Sequence, residues 1–326
     1  MPLEVYAFKN NDDSLYKSSS GGAFWAIIEA CFAECKENAV IYGAAFDDEL
    51  KVMHKAAYTK EECQCFRGSK YVKSSIRNAY EKIEENIKHG KCVLFSGTPC
   101  QVAALKTRLN NKGIDTSGLY LVDLICHGTP KANVWEDYKN WIEKKYKSKI
   151  TEVSFRDKSN QNTKYSIKLM LENGKVLNNN LEVSMFTRLF LRRYIMEDGC
   201  YKCPFANLNR QGDITLGDFW GIEAVMPEFP KAGGVSLVLV NSDKGKKLID
   251  KVRENAAEHE CHIKKCISDG YITYQNNLQK PAEKPKSLDK FRKEYKEKGF
   301  EYIIKKYAGY GLLDRIKYSI KSIMKR

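Results

Sequence analysis

Two consecutive strand–turn–helix units limit what this chain can fold into more than any other feature. Lys91-Cys92-Val93-Leu94-Phe95 is a short apolar run, Ser96-Gly97-Thr98-Pro99 a turn, and Cys100–Leu109 a helical stretch. The turn places Thr98 as N-cap and Pro99 at the first helical position, where a missing N–H costs nothing. The pattern then returns: strand Leu119–Ile125, turn Cys126-His127-Gly128-Thr129-Pro130, helix Lys131–Tyr146. Strand, Gly-Thr-Pro, helix, twice over, predicts adjacent parallel strands. The expected fold class is α/β: a mixed, largely parallel sheet flanked by helices, with a Cys-rich loop and a helical, basic C-terminal tail.

The flanking segments fit that class. Phe24–Cys35 is helical after the loop Ser18–Gly22, Ala39–Phe46 reads as a buried strand with Lys51–His54 beside it, and a further helix covers about Ser74–His89. Beyond Ile150 the texture changes to strands at Glu152–Arg156 and Lys164–Leu171, a hairpin turn at Asn173-Gly174 and a helix over Met185–Met196. Asp213–Trp220 and Val235–Val240 are further strands, and from Ser242 the chain is mostly helical. The reading divides the chain into an α/β domain over residues 1–243, with a sub-boundary near 150, and a helical, basic extension over 244–326.

Charge and cysteine usage narrow the function classes. The net charge of +14 invites nucleic acid, but Pro281–Arg326 alone holds 14 Lys/Arg against 6 Asp/Glu, so the excess is a property of the tail. No aromatic RNA motif or helix-turn-helix pattern accompanies it, and no nucleic-acid partner is expected. The N-terminus lacks a signal-peptide pattern, and no apolar run has the ~18 residues of a membrane span, so a cytoplasmic chain is expected. Eleven cysteines in a reducing compartment point to buried thiols, metal or catalysis rather than to a disulfide framework.

Cys200-Tyr201-Lys202-Cys203-Pro204 is a Cys-x2-Cys loop that can bite one metal centre. Cys100 and Cys126 are the best further ligands. Both stand at the carboxyl ends of expected parallel strands, and Cys100 falls in a helix's first turn, where the dipole favours a thiolate. The four thiols suit a [4Fe–4S] cube or a zinc ion; a buried, inert role is the alternative for Cys100 and Cys126. Cys31 and Cys35 read as core on one helix face. Three loops offer hydroxyls or bare backbone N–H groups of the kind that hold phosphate: Ser18–Gly22, Gly68-Ser69-Lys70-Tyr71 and Gly97-Thr98. None matches a dinucleotide-binding or P-loop motif, and each also reads as a plain helix cap or turn.

Taken together, these segments resemble the beta-subunit family of coenzyme F-420 hydrogenases and dehydrogenases. The resemblance rests on Ser19-Ser20-Gly21-Gly22, Gly68-Ser69-Lys70-Tyr71-Val72, Phe95-Ser96-Gly97-Thr98-Pro99-Cys100-Gln101, Asp123-Leu124-Ile125-Cys126-His127-Gly128 and Phe155-Arg156-Asp157-Lys158. It continues through Cys200-Tyr201-Lys202-Cys203-Pro204-Phe205-Ala206 and Gly212-Asp213-Ile214-Thr215-Leu216-Gly217-Asp218-Phe219-Trp220-Gly221, in family order. It implies an oxidoreductase binding FAD and a [4Fe–4S] cluster, with Cys100, Cys126, Cys200 and Cys203 as cluster ligands. Ser19, Ser20, Gly21 and Gly22, Gly68, Ser69, Lys70 and Tyr71, and Gly97 and Thr98 would hold the flavin.

Many relatives also carry a ferredoxin-like module ahead of this region. Residues 1–30 hold no cysteine, so the resemblance implies a separate ferredoxin or iron–sulfur protein as electron partner, and a small-molecule substrate whose identity varies within the family. The tail lies outside the resemblance. Leu312, Leu313, Ile316, Ile320 and Ile323 share one helix face, which suits a peripheral membrane contact, a dock for an acidic ferredoxin, or a helix folded back on the body. Two rival readings remain from the residues themselves: a zinc-stapled binding module on the same four cysteines, and a transferase using Cys100 as nucleophile.

Overall fold

The computed structural model describes residues 1–158, 167–178, 180–256, 258–314, 316 and 318. Its strands are β1 (Glu4–Lys9), β2 (Ala39–Phe46), β3 (Val52–Ala57), β4 (Cys92–Ser96), β5 (Leu119–Leu124), β6 (Ile150–Ser154), β7 (Lys168–Leu171), β8 (Val176–Asn178), β9 (Ile214–Asp218), β10 (Ser236–Val240) and β11 (His262–Lys265). Its α-helices are α1 (Asp12–Tyr16), α2 (Ala23–Cys35), α3 (Ala79–Lys88), α4 (Pro99–Asn111), α5 (Ala132–Tyr146), α6 (Ser184–Leu191), α7 (Ile222–Val225), α8 (Asp243–Ala256), α9 (Tyr271–Tyr274) and α10 (Leu288–Tyr307).

The chain divides into two units. The first takes Met1–Ser69, Ser74–His127 and Cys203–Pro281; the second takes Lys70–Lys73, Gly128–Lys202 and Ala282–Arg326. The first holds an eight-stranded sheet in the order β11-β1-β10-β9-β5-β4-β2-β3. The expected mixed α/β sheet is present, with parallel pairing concentrated at its centre: β2, β4, β5 and β9 run parallel, and the pairs on either side are antiparallel. The repeated motif does give neighbouring parallel strands, with Val93 opposite Leu119 and Phe95 opposite Leu121.

Alternation along each strand sends side chains to two faces. On one face Leu94, Tyr120, Val122, Ile214 and Val238 pack under α2 and α8. On the other, Val93, Phe95, Leu119 and Leu121 meet Ile83, Val102, Leu105 and Leu109 of α3 and α4. Strands covered on both sides read as near-continuous apolar runs, which is why β2, β4 and β5 stand out in the sequence.

The second unit contains the β6-β7-β8 sheet, α5, α6 and α10. Its core is aromatic: Trp135 packs within 5.4 Å, centroid to centroid, of Tyr138, Phe155 and Phe186.

Several boundaries differ from expectation for local reasons. The helix expected from Ser74 begins only at Ala79, because Ser75 is drawn into pairing with β3: its N–H donates to Val52 and its carbonyl accepts from His54. The helix expected to reach Met196 stops at Leu191, and Arg193 adopts a left-handed φ of 64°. Strand β7 starts at Lys168; residues 164–166 of the expected strand lie outside the described residues.

The sequence reading sets a domain boundary near 244. Helix α8 closes over the first unit's sheet, and β11 pairs with β1, so the chain up to Pro281 belongs to the α/β unit. Of the tail's apolar face, Leu312, Leu313 and Ile316 are exposed, while Ile320 and Ile323 lie outside the described residues. Among the described residues, no helix is long and apolar enough to cross a membrane.

Candidate functional site

The pairing senses make β1, β2, β4, β5 and β9 all point the same way. Their carboxyl ends therefore share one edge of the first unit's sheet, the edge where open α/β sheets place ligands. That edge carries the loop from Asn10 to Gly22, the turn Gly97-Thr98 with Cys100, and Ile125-Cys126. Trp220 and Gly221 follow β9 there.

Gly21 and Gly22 are required by how tightly the first loop sits. A Cβ at Gly21 would stand 2.1 Å from the Phe8 carbonyl oxygen and 2.5 Å from the Ser236 nitrogen, while Gly22 has φ +84° and caps α2. The structure brings two of the three expected phosphate loops together: the Ser69 N–H donates to Ser19 Oγ at 2.5 Å. Ser20 Oγ donates to the Val235 carbonyl at 3.0 Å. Arg67, not foreseen from sequence, donates to the Ser14 carbonyl and to Ser18 Oγ, with its guanidinium 4.6 Å over the Trp25 ring. Lys70 and Tyr71 fall in the second unit, where the Tyr71 ring packs 5.7 Å from both Phe155 and Phe190.

Asn10 is a second residue the sequence did not mark. It is 3% exposed. Its Oδ1 accepts from the Asn11 N–H and the Cys261 thiol, yet its Nδ2 has no hydrogen-bond partner among the described residues. That orphaned donor lies 3.5 Å from where a Gly22 Cβ would stand, at the start of α2. A buried amide N–H beside a helix N-terminus is donor-rich, which suits an anionic phosphate.

Thr98 and Gln101 form a reciprocal capping box on α4. Gln101 Oε1 accepts the Thr98 N–H at 3.0 Å, so Thr98 serves first as a cap. Behind it stands His54, which Ser74 links to the cap. His54 Nε2 donates to the Ser96 carbonyl at 2.9 Å, its Nδ1 accepts from Ser74 Oγ at 3.1 Å, and Gln101 Nε2 donates to that hydroxyl at 2.9 Å. The ring stacks on Phe95 at 5.1 Å.

Burial pushes His54 down to about 4 from 6.5, so the fold holds the neutral imidazole. As pH falls, the unfolded chain takes up this proton first. The stabilisation is complete above about pH 6.5 and is lost between there and about 4, by roughly 3 kcal/mol. His54→Gln is expected to flatten the stability profile over that window relative to the parent. Parallel curves for the two proteins would show that His54 does not titrate this way.

Cys100 is exposed in the first turn of α4, its Sγ 3.1 Å from Thr98 Oγ1. Cys126 and Cys203 are half-buried. A buried ion pair organises the chain around both. Arg210 reaches Asp123 at 3.2 Å, the carbonyls of Phe205 and Asn207 at 2.9 and 3.1 Å, and that of Leu124 at 2.8 Å. It thus ties the loop after Cys203 to the end of β5, just before Cys126. Cys200 lies in the second unit, where its Sγ accepts the Thr129 N–H at 3.5 Å. Gly128 is needed there: with φ +107°, its Cβ would meet Met196 Sδ at 2.5 Å.

One group was not expected. Cys35 is not simply core but is disulfide-bonded to Cys92, with Cys31 beside them; the three sulfurs lie within 4.8 Å of one another. The two bonded residues are 57 positions apart, so no local spacing announces them.

A family model for the C-terminal part of the coenzyme F420 hydrogenase/dehydrogenase beta subunit matches residues 90–265. Among solved structures, the F420-reducing [NiFe] hydrogenase complex from Methanosarcina barkeri contains a similar chain. The two are 17% identical, with a TM-score of 0.58 over 91% of this chain and 92% of that one. At that identity the likeness speaks for the fold. No curated protein sequence matches.

Proposed function

The chain belongs to the coenzyme F420 hydrogenase/dehydrogenase beta-subunit family, and from that premise we propose that it is a flavin- and iron–sulfur-dependent oxidoreductase subunit. In this reading it passes electrons between a separate iron–sulfur protein and a small reducible substrate in the cytoplasm. The observation that carries the proposal is the family match, which spans Cys100, Cys126, Cys200 and Cys203 together with the Gly97-Thr98 turn; the Ser19–Gly22 and Gly68–Tyr71 loops precede it.

The donor sets suit the two groups. Cys100, Cys126, Cys200 and Cys203 would hold a [4Fe–4S] cluster as thiolates, and the Ser19–Gly22 and Gly68-Ser69 loops, with Asn10 Nδ2 among their donors, would hold the phosphates of FAD. A flavin exchanges two electrons with a hydride carrier and one at a time with a cluster.

The protein's own part is positional. Gly21 brings the loop against β1 and β10, Ser69 fixes Ser19, and Arg67 ties the loop at Ser14 and Ser18. Around the cysteines, the capping box sets the first turn of α4, and Arg210 holds the Cys203 loop on β5.

Anaerobic purification of the full chain tests the reading directly. The expected product is brown, with one flavin and about four irons per chain. A colourless protein loaded with zinc would overturn it in favour of a structural zinc module on the same four thiolates.

A further inference from the structure

We infer that Cys35 and Cys92 form a reversible dithiol–disulfide pair that exchanges with small-molecule disulfides, with Cys31 as a permanently reduced thiol beside it. This goes beyond the proposed activity and takes from that reading only the cytoplasmic location. Cys35 is the last residue of α2 and Cys92 the first of β4, a strand of the parallel centre. They therefore sit at the amino edge of those strands, opposite the edge that carries the candidate site.

The geometry favours this pair over the alternatives. The Cα atoms of Cys35 and Cys92 are 6.0 Å apart, inside the span that a disulfide bridges without moving backbone. Both residues are half-buried and within reach of a small reagent, whereas Cys31 is fully buried in the core. Burial pushes the Cys31 thiol up to about 12, so at neutral pH it is protonated and a poor nucleophile. Three sulfurs within 4.8 Å therefore divide into one exchangeable pair and one spectator. In a reducing compartment a disulfide is most often transient and redox-sensing rather than structural.

The chemistry balances with a small disulfide, such as oxidised glutathione, as the oxidant. One protein thiolate attacks it, forming a mixed disulfide and releasing one small thiol. The second protein thiolate then attacks the protein sulfur of that mixed disulfide and displaces the other. Two electrons pass from the pair to the reagent, and the two thiol protons leave with the two small thiols. Closing the bond fastens the carboxyl end of α2 to β4. The same helix begins at Gly22, so oxidation anchors the element whose other end closes the Ser18–Gly22 loop.

The test uses the unaltered full chain, held anaerobically in glutathione buffers from fully reduced to fully oxidised, acid-quenched, alkylated and mapped by mass spectrometry. Cys35 and Cys92 are expected to pass together from alkylated to protected in one two-electron transition, with Cys31 never entering a disulfide. The oxidised form is expected to melt at a higher temperature than the reduced form. That difference should vanish in Cys35→Ser and in Cys92→Ser but persist in Cys31→Ala. Alkylation of both residues at every poise overturns the inference, as does protection at every poise. So does one tightly held zinc per reduced chain that is lost equally in all three variants, which would make the group a metal site.

Discussion

Arg210→Met is expected to lower the unfolding free energy by about 3–5 kcal/mol, the usual result of removing one partner from a buried ion pair. Asp123 is fully buried, and its carboxylate accepts from Thr215 Oγ1 at 2.5 Å and from the N–H groups of Gln211 and Gly212 at 3.0 and 3.1 Å. Those neutral donors remain in the variant, but the only cation among its described contacts is lost. The carbonyls of Leu124, Phe205 and Asn207 lose a donor as well. Denaturant unfolding should show a lower midpoint with an unchanged slope. Adding Asp123→Leu to the same chain should recover part of the loss, because an apolar pair leaves no charge stranded. A shift below about 1 kcal/mol in Arg210→Met would mean that the pair is not what holds this loop.

The second large effect concerns metal content. Cys203→Ser is expected to drop bound iron from about four per chain to nearly none, because a cubane held by four thiolates loses one and becomes labile. Cys31→Ser should keep its iron. The contrast is informative because the two residues belong to the first unit but have different surroundings: Cys203 is half-buried in the loop that Arg210 anchors, and Cys31 is fully buried on the core face of α2. Equal iron loss from both variants would show that the ligand set is wrong. Loss from Cys31→Ser alone would move the metal to the Cys31, Cys35 and Cys92 group.

What could be read from the residues alone was what local chemistry decides. The β4–α4 junction is legible because Thr98 and Pro99 each announce a helix start, and both act as read; Gln101 completes the capping box. Strand β2 is legible because Ala39–Phe46 is apolar on both faces. Strand β11 was missed because His262–Lys265 is a polar, mostly exposed edge strand, with little apolar alternation to betray it. The helix at 74–89 was overextended because nothing local to Ser75 shows that β3 claims its backbone.

The supporting residues around the candidate site were hidden for the same reason. Asp123 and Arg210 meet across 87 positions, and His54 reaches Ser96 across 42. A charged or imidazole side chain in sequence looks the same whether it is solvated or buried. Charge composition follows exposure and so does not mark where the α/β unit ends: α8 buries one stripe against the sheet while Lys246 and Lys247 stay exposed.

The placement of β1 has a consequence for how the molecule comes together. Its neighbours in the sheet are β10 and β11, with Glu4 opposite Val240 and Tyr6 opposite Lys265. During synthesis the apolar run Val5-Tyr6-Ala7-Phe8 therefore emerges early and finds its hydrogen-bond partners only when nearly the whole α/β unit has been made. Chain closure over such distances grows only logarithmically in cost, by about 0.6 kcal/mol per doubling, so the finished fold tolerates it. The rate does not: long-range pairing slows assembly and leaves a sticky segment waiting. The loop that follows β1, Asn10–Gly22, waits with it, so the edge proposed to hold the flavin is among the last parts of the molecule to take shape.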